Sequence, residues 1–95
     1  VLIAIDFDDT LTADPVMFRT LIAVLKSFGH HAVCVTARRD TDENLEWVSD
    51  WMRENDIDLY THYTALASKV EHMERIGVKV DIWIDDDPRK CALGH

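Results

Sequence analysis

Two largely apolar runs lie at opposite ends of the chain, VLIAI at residues 1–5 and VDIWI at residues 80–84, and each runs directly into aspartates. The first closes on Asp6, Asp8 and Asp9, the second on Asp85, Asp86 and Asp87. A short apolar run with little polar alternation is what a strand buried on both faces needs, and such strands belong to parallel sheets covered by helices. A third run, residues 31–35, closes on Thr36. The chain is thereby constrained to bring strand ends, and the polar groups that follow them, to one rim.

Between these runs the pattern turns helical. Asp14 and Pro15 supply an N-cap and a first helical residue. Phe18, Leu21, Ile22, Leu25 and Phe28 then fall on one helical face, and Gly29 ends it. Asp40 and Glu43 are spaced as a capping box. The helix they open carries Leu45, Val48 and Met52 on one face with Trp47 and Trp51 beside it. Residues 57–60 suit a short third strand. Ser68 and Glu71 form a second capping box, and Val70, Met73 and Ile76 give the next helix face before Gly77. Strand and helix alternate throughout. This predicts one α/β domain over residues 1–95, a Rossmann-like three-layer sandwich around a small parallel sheet of about four strands. Ligands of such sheets bind at the carboxyl ends of the strands, where the aspartates and Thr36 fall.

Charge narrows the function. Ten basic against eighteen acidic residues give −8, and without the six clustered aspartates only −2 would remain. The acidity is therefore local. The overall sign disfavours a broad nucleic-acid surface, which needs a basic face. No apolar run approaches the ~20 residues that cross a bilayer. The opening strand has no basic lead-in of a secretory signal, and Cys34 and Cys91 are too few for a disulfide framework, so a reducing, cytoplasmic setting is expected.

Carboxylates crowded at one rim repel one another and raise one another's pKa unless a cation joins them. An all-oxygen set with no Cys or His partner pattern favours Mg²⁺ over zinc. The second cluster alone reads equally well as a solvated acidic turn before Pro88; two clusters closing buried-type strands do not. A calcium loop starting at Asp6 fails on spacing, because its glycine would fall on Leu11 and its closing glutamate on Met17. Lys69 adds to the pattern. As the first residue of a capped helix it opposes the helix dipole, at about 0.3–1 kcal/mol, a cost that a nearby acidic cluster or phosphate offsets. Lys79, at a strand start away from the rim, is the weaker rival.

Asp6-x-Asp8-x-Thr10 after a buried strand and before Leu11 resembles the first motif of the haloacid dehalogenase superfamily of phosphohydrolases. Thr36 after AVCV is similar to its second motif, Lys69 to its third, and Ile84-Asp85-Asp86 to its fourth. The likeness spans nearly the whole chain in the family's order. It implies an Mg²⁺-dependent phosphatase. Asp6 would be the nucleophile that forms an aspartyl-phosphate, and Asp8 the general acid and then base. Thr36 and Lys69 would bind phosphoryl oxygens. The Asp6 carboxylate, the Asp8 backbone carbonyl and Asp85 or Asp86 would hold the metal. Two departures stand out. Asp9 occupies a position where the family often has glycine, and with little sequence after the fourth motif the family's usual fifth strand is not expected.

Only residues 11–14 separate the first motif from its helix, so no cap domain is expected. An open site admits a phosphorylated substrate of any size, including a nucleotide or a nucleic-acid end. Asp9, Thr10 and Arg38 are the expected substrate contacts; Arg39 beside Arg38 is a further candidate for a phosphate or a base, and His62 and Tyr63, in the loop before Lys69, are candidates to stack on a ring. Trp47 and Trp51 read either as core or as the patch of a homodimer, and Cys34 as inert packing. Two other classes compete. A receiver domain also carries an aspartyl-phosphate, but its phosphorylated aspartate ends a middle strand and its acid pair the first, an order this chain reverses. A silent Mg²⁺-binding module would not need the full motif set.

Overall fold

The computed structural model describes residues 1–87, 89 and 91; Pro88, expected to follow the second acidic turn, lies outside them. Among the described residues four strands and three α-helices alternate: β1 (Leu2–Ile5), α1 (Pro15–Ser27), β2 (His31–Thr36), α2 (Asp42–Glu54), β3 (Thr61–Tyr63), α3 (Lys69–Arg75) and β4 (Ile82–Ile84). All strand pairs are parallel, in the order β3-β2-β1-β4. The α/β architecture is that of a small Rossmann-like sheet. Its chain runs outward from β1 to β3, then returns to the other side of β1. The crevice between β1 and β4 is therefore the topological switch point, where ligands of open α/β sheets bind.

Period-two alternation divides β1 between two cores. Ile3 and Ile5 pack with Phe18 and Ile22 of α1 and with Val48 and Met52 of α2. Ala4 packs on the opposite face with Val35, Met73 of α3, Val33 and Trp83. Helices thus cover both faces, which is why the strands are apolar without alternation. The same parity puts Asp6, the next even position, on the α3 side, and Phe7 on the side of α1 and α2. Phe7 is fully buried, with Trp47 and Trp51 edge-on to its ring at 5.6 and 5.1 Å. Burial of such a side chain stabilises by roughly 1.5–3 kcal/mol. Trp51 belongs to the core margin, whereas Trp47 stays 49 % exposed.

Several local expectations shift. The third strand is residues 61–63, not 57–60. Ile57 and Leu59 are buried as expected, but from an extended loop; the ladder with β2 starts only where Thr61 meets Cys34. Apolar patterning reports burial, and hydrogen-bond pairing is a separate matter. β4 begins at Ile82, since Asp81 is occupied in closing the strand entrance, its side chain accepting from Leu2 N at 2.8 Å. The α2 cap is Thr41, whose hydroxyl accepts from Asn44 N at 3.2 Å, rather than Asp40 with Glu43. Leu45 is exposed on that helix. Phe28 lies past the last turn of α1 and is 76 % exposed, and Ile76 likewise sits outside α3. The Asp14 and Ser68 caps form as expected, accepting from Met17 N at 3.0 Å and Glu71 N at 3.3 Å.

Asp9 adopts the left-handed backbone region at φ 61, so the glycine-like position of the loop is occupied by an aspartate under mild strain. Its N–H is accepted by the Thr12 hydroxyl at 3.0 Å, which stabilises that turn. Asp9→Gly is expected to raise unfolding stability by about 0.5–1 kcal/mol in urea titrations; a loss of stability would show that the Asp9 side chain itself supports the turn. Among the described residues no helix is long and apolar enough to cross a membrane.

Candidate functional site

Segments far apart in sequence meet at the β1–β4 crevice. Asp6 directly follows β1, its N–H bonded to Ile84 O at 2.9 Å, so the ends of the two strands are tied together. Asp6, Asp85 and Asp86 each bring a carboxylate oxygen within 4.8 Å of the others. Lys69, at the start of α3, reaches between them: Nζ donates to Asp6 Oδ1 at 2.7 Å and Asp85 Oδ2 at 2.6 Å. The Lys69 side chain is only 3 % exposed. Thr10 Oγ1 donates to Asp6 Oδ2 at 3.2 Å and lies 3.4 Å from Asp86 Oδ1. The second oxygen of Asp85 accepts from Asp87 N at 3.0 Å, a local turn that aims its carboxylate inward.

The unfavourable placement of Lys69 at a helix N-terminus is thus offset by two carboxylates. Burial alone would lower the Lys69 pKa; its hydrogen bonds to Asp6 and Asp85 hold it above the ordinary value instead. Asp6 moves the other way. Burial, then the crowding of Asp86, push its carboxyl up to about 6 against the pull of Lys69. One ammonium does not neutralise three carboxylates, and the set carries −2 when all are ionised. These three carboxylates, Asp6 buried, Asp85 half-buried and Asp86 exposed, are an all-oxygen set that could hold a metal ion.

The remaining expected residues form a second group beside this one. Asp8 is not among the three converging carboxylates. Its side chain faces Arg38, which forks onto it through Nε to Oδ2 at 3.0 Å and Nη2 to Oδ1 at 2.8 Å. Arg38 therefore contacts the expected acid–base residue directly. Thr36 is fully buried at the end of β2; its hydroxyl accepts from Arg38 N at 3.3 Å and its carbonyl from Thr64 N at 2.9 Å. Asp9 is exposed at the tip of the loop. Lys79 is 91 % exposed, with only Asp81 nearby at 3.9 Å, and plays no part at the rim.

His62 and Tyr63 belong to β3 rather than to a loop, and the His62 ring lies tilted against that of Tyr60 with centroids 4.8 Å apart. Cys34 is buried within β2, and burial pushes its thiol up to about 12, so it stays protonated and unreactive. A groove of about 670 Å³ lies away from the carboxylates, beside α2 and β3, with Val48, Met52, Leu59 and Tyr63 among its lining. Arg53, Asp56 and Asp58 also line that groove, but none of them follows a strand end, whereas the rim gathers three carboxylates from the ends of β1 and β4. Asn44 and Trp47, which sequence reasoning did not attach to the site, both touch Arg38. No protein-family model, curated protein or solved structure matches this chain.

Proposed function

We propose that this protein is an Mg²⁺-dependent phosphohydrolase of the haloacid dehalogenase type, without a cap, acting on a phosphomonoester through an aspartyl-phosphate. The observation that carries the reading is the meeting of Asp6, Asp85 and Asp86 at the switch point with Lys69 bonded to two of them. Those positions are the first, fourth and third motifs that the sequence resembles.

Asp6, Asp85 and Asp86 would hold the metal, with the Asp8 backbone carbonyl as a further ligand in the resemblance. When bound, Mg²⁺ supplies charge neutralisation for the approach of an anionic phosphoryl group to a carboxylate. Asp6 contributes the attacking oxygen. Its bond to phosphorus forms as the phosphorus–oxygen ester bond breaks. Asp8 gives the departing oxygen a proton, then takes one from the water that attacks the aspartyl-phosphate, releasing inorganic phosphate and regenerating Asp6. Lys69 and Thr36 bind the phosphoryl oxygens in this scheme, Lys69 by turning one of its three donors from a carboxylate. Asp9 and Thr10 line the substrate side. Only the 3-10 turn Leu11–Ala13 separates the Asp6 loop from α1, which leaves no cap there and admits large phosphorylated substrates.

The test is hydrolysis of p-nitrophenyl phosphate in Mg²⁺, with Asp8→Asn alongside. Turnover that disappears with EDTA, returns with Mg²⁺ and is lost in Asp8→Asn is the expected result. Stable phosphorylation by a small phosphodonor without turnover would replace this reading with that of a receiver. A panel of phosphorylated oligonucleotides, mononucleotides, sugar phosphates and phosphopeptides then assigns the substrate.

A further inference from the structure

The guanidinium that grips Asp8 is itself gripped. Its Nη1 donates to Asn44 Oδ1 at 3.2 Å, while Nε and Nη2 serve Asp8. Its central carbon stands 4.5 Å from the Trp47 ring centroid and 5.4 Å from that of Phe7. Asn44 is fixed in turn, its N–H on the Thr41 hydroxyl at 3.2 Å and its Nδ2 on Arg39 O at 3.0 Å. All three nitrogens of the Arg38 fork are committed to protein. The Asp8 side chain is 47 % exposed, and both of its oxygens are spanned by the fork. Without Arg38, a half-exposed aspartate would sample several rotamers.

On the phosphohydrolase reading above, we propose that Arg38 is the positioning residue for Asp8, and that Asn44 and Trp47, in the first two turns of α2, hold its guanidinium in place. A bidentate fork fixes the plane of the carboxylate as well as its distance. Each carboxylate oxygen has more than one acceptor site, so beside the fork a site remains to carry the proton that Asp8 gives to the leaving oxygen and then to accept one from the attacking water. Aim of this kind matters, since displacement of a reacting group by about 1 Å can cost 10²-fold in rate. Arginine is required, because lysine offers a point charge without the fork or the planar stack.

The experiment compares steady-state hydrolysis of p-nitrophenyl phosphate in Mg²⁺ by the wild type, Arg38→Lys, Trp47→Leu, Asn44→Ala and the Arg38→Lys/Trp47→Leu double variant. Nuclear magnetic resonance of the arginine Nε–H groups accompanies it. Arg38→Lys is expected to lower kcat by about 10- to 100-fold with KM changed less than about threefold. Trp47→Leu and Asn44→Ala lower kcat by about fivefold and shift the Arg38 Nε–H resonance; the double variant is no worse than Arg38→Lys alone. The partly exposed Asn44 keeps the test informative if a Trp47 variant folds poorly. A KM raised tenfold or more with kcat retained would make Arg38 a substrate contact and overturn the proposal. So would unchanged kcat in Arg38→Lys while the wild type turns over. No turnover by the wild type overturns the hydrolase reading itself, and this role with it.

Discussion

On the proposed phosphohydrolase mechanism, Asp6→Asn will lower turnover by about a thousandfold or more, while leaving the protein at least as stable as the wild type at pH 7. The loss follows from removing the oxygen proposed to attack. The stability follows from electrostatics. Asp6 ionises in the fold near pH 6 instead of at its ordinary 3.8, so the fold binds that proton more tightly than the unfolded chain does. A carboxyl shifted in this direction favours folding below its unfolded pKa, and the favour is lost as pH rises through the folded value. Metal-free wild type should therefore lose up to about 3 kcal/mol between pH 4 and pH 6, and change little from this group above that. An asparagine at position 6 lacks this penalty. Urea unfolding at pH 4.5 and pH 7, with and without Mg²⁺, reads both halves. Mg²⁺ should stabilise the wild type more at pH 7 than at pH 4.5, and stabilise Asp6→Asn less than the wild type. An Asp6→Asn protein that still turns over would sink the nucleophile assignment. One less stable than the wild type at pH 7 would show that the crowding at the rim has been misjudged.

Lys69→Met will be among the most damaging single changes to the fold. It removes the ammonium that bonds Asp6 and Asp85 and leaves those two buried carboxylates without it, with the exposed Asp86 still beside them. Breaking a buried pair from one side costs about 3–5 kcal/mol, a large part of the 5–15 kcal/mol that holds a domain together. The sign with pH is the same as for Asp6. Acid should rescue the variant, because protonated carboxyls no longer repel, and so should Mg²⁺ at neutral pH. Lys69→Arg, which keeps the charge, is expected to lie between the two. Circular dichroism during urea unfolding at pH 4.5 and pH 7 measures this directly. Equal stability of Lys69→Met and wild type at pH 7 without metal would mean that the carboxylates are not in need of compensation.

The rim was legible in the sequence to the extent that it sits at the ends of regular elements. Buried-type strands announced themselves by apolar runs, so Asp6, Thr36, Asp85 and Asp86 could be placed on one edge before any packing was known. Lys69 was legible as a cation in the first turn of a capped helix, where the helix dipole disfavours it. The third strand was misplaced, because Ile57 and Leu59 are buried without pairing, and burial was the only signal available. The Asp40–Glu43 box failed for a related reason: Thr41 offers the same chemistry one residue later and wins the cap. Arg38, an arginine after a strand end, carries no local sign of what it faces. Its grip on Asp8, and the support it takes from Asn44 and Trp47, depend on how α2 packs against the loop after β1.

Residue order alone therefore settled the kinds of element and the chemistry waiting at their ends, since both follow from periods of two and 3.6 residues acting over short stretches. Packing decided which of those ends touch. A sheet ordered β3-β2-β1-β4 sets β4 beside β1, and only then do Asp85 and Lys69 come within hydrogen-bond reach of Asp6. Such contacts join residues dozens of positions apart, and they exist because each face of the sheet must be covered, a condition no local pattern contains.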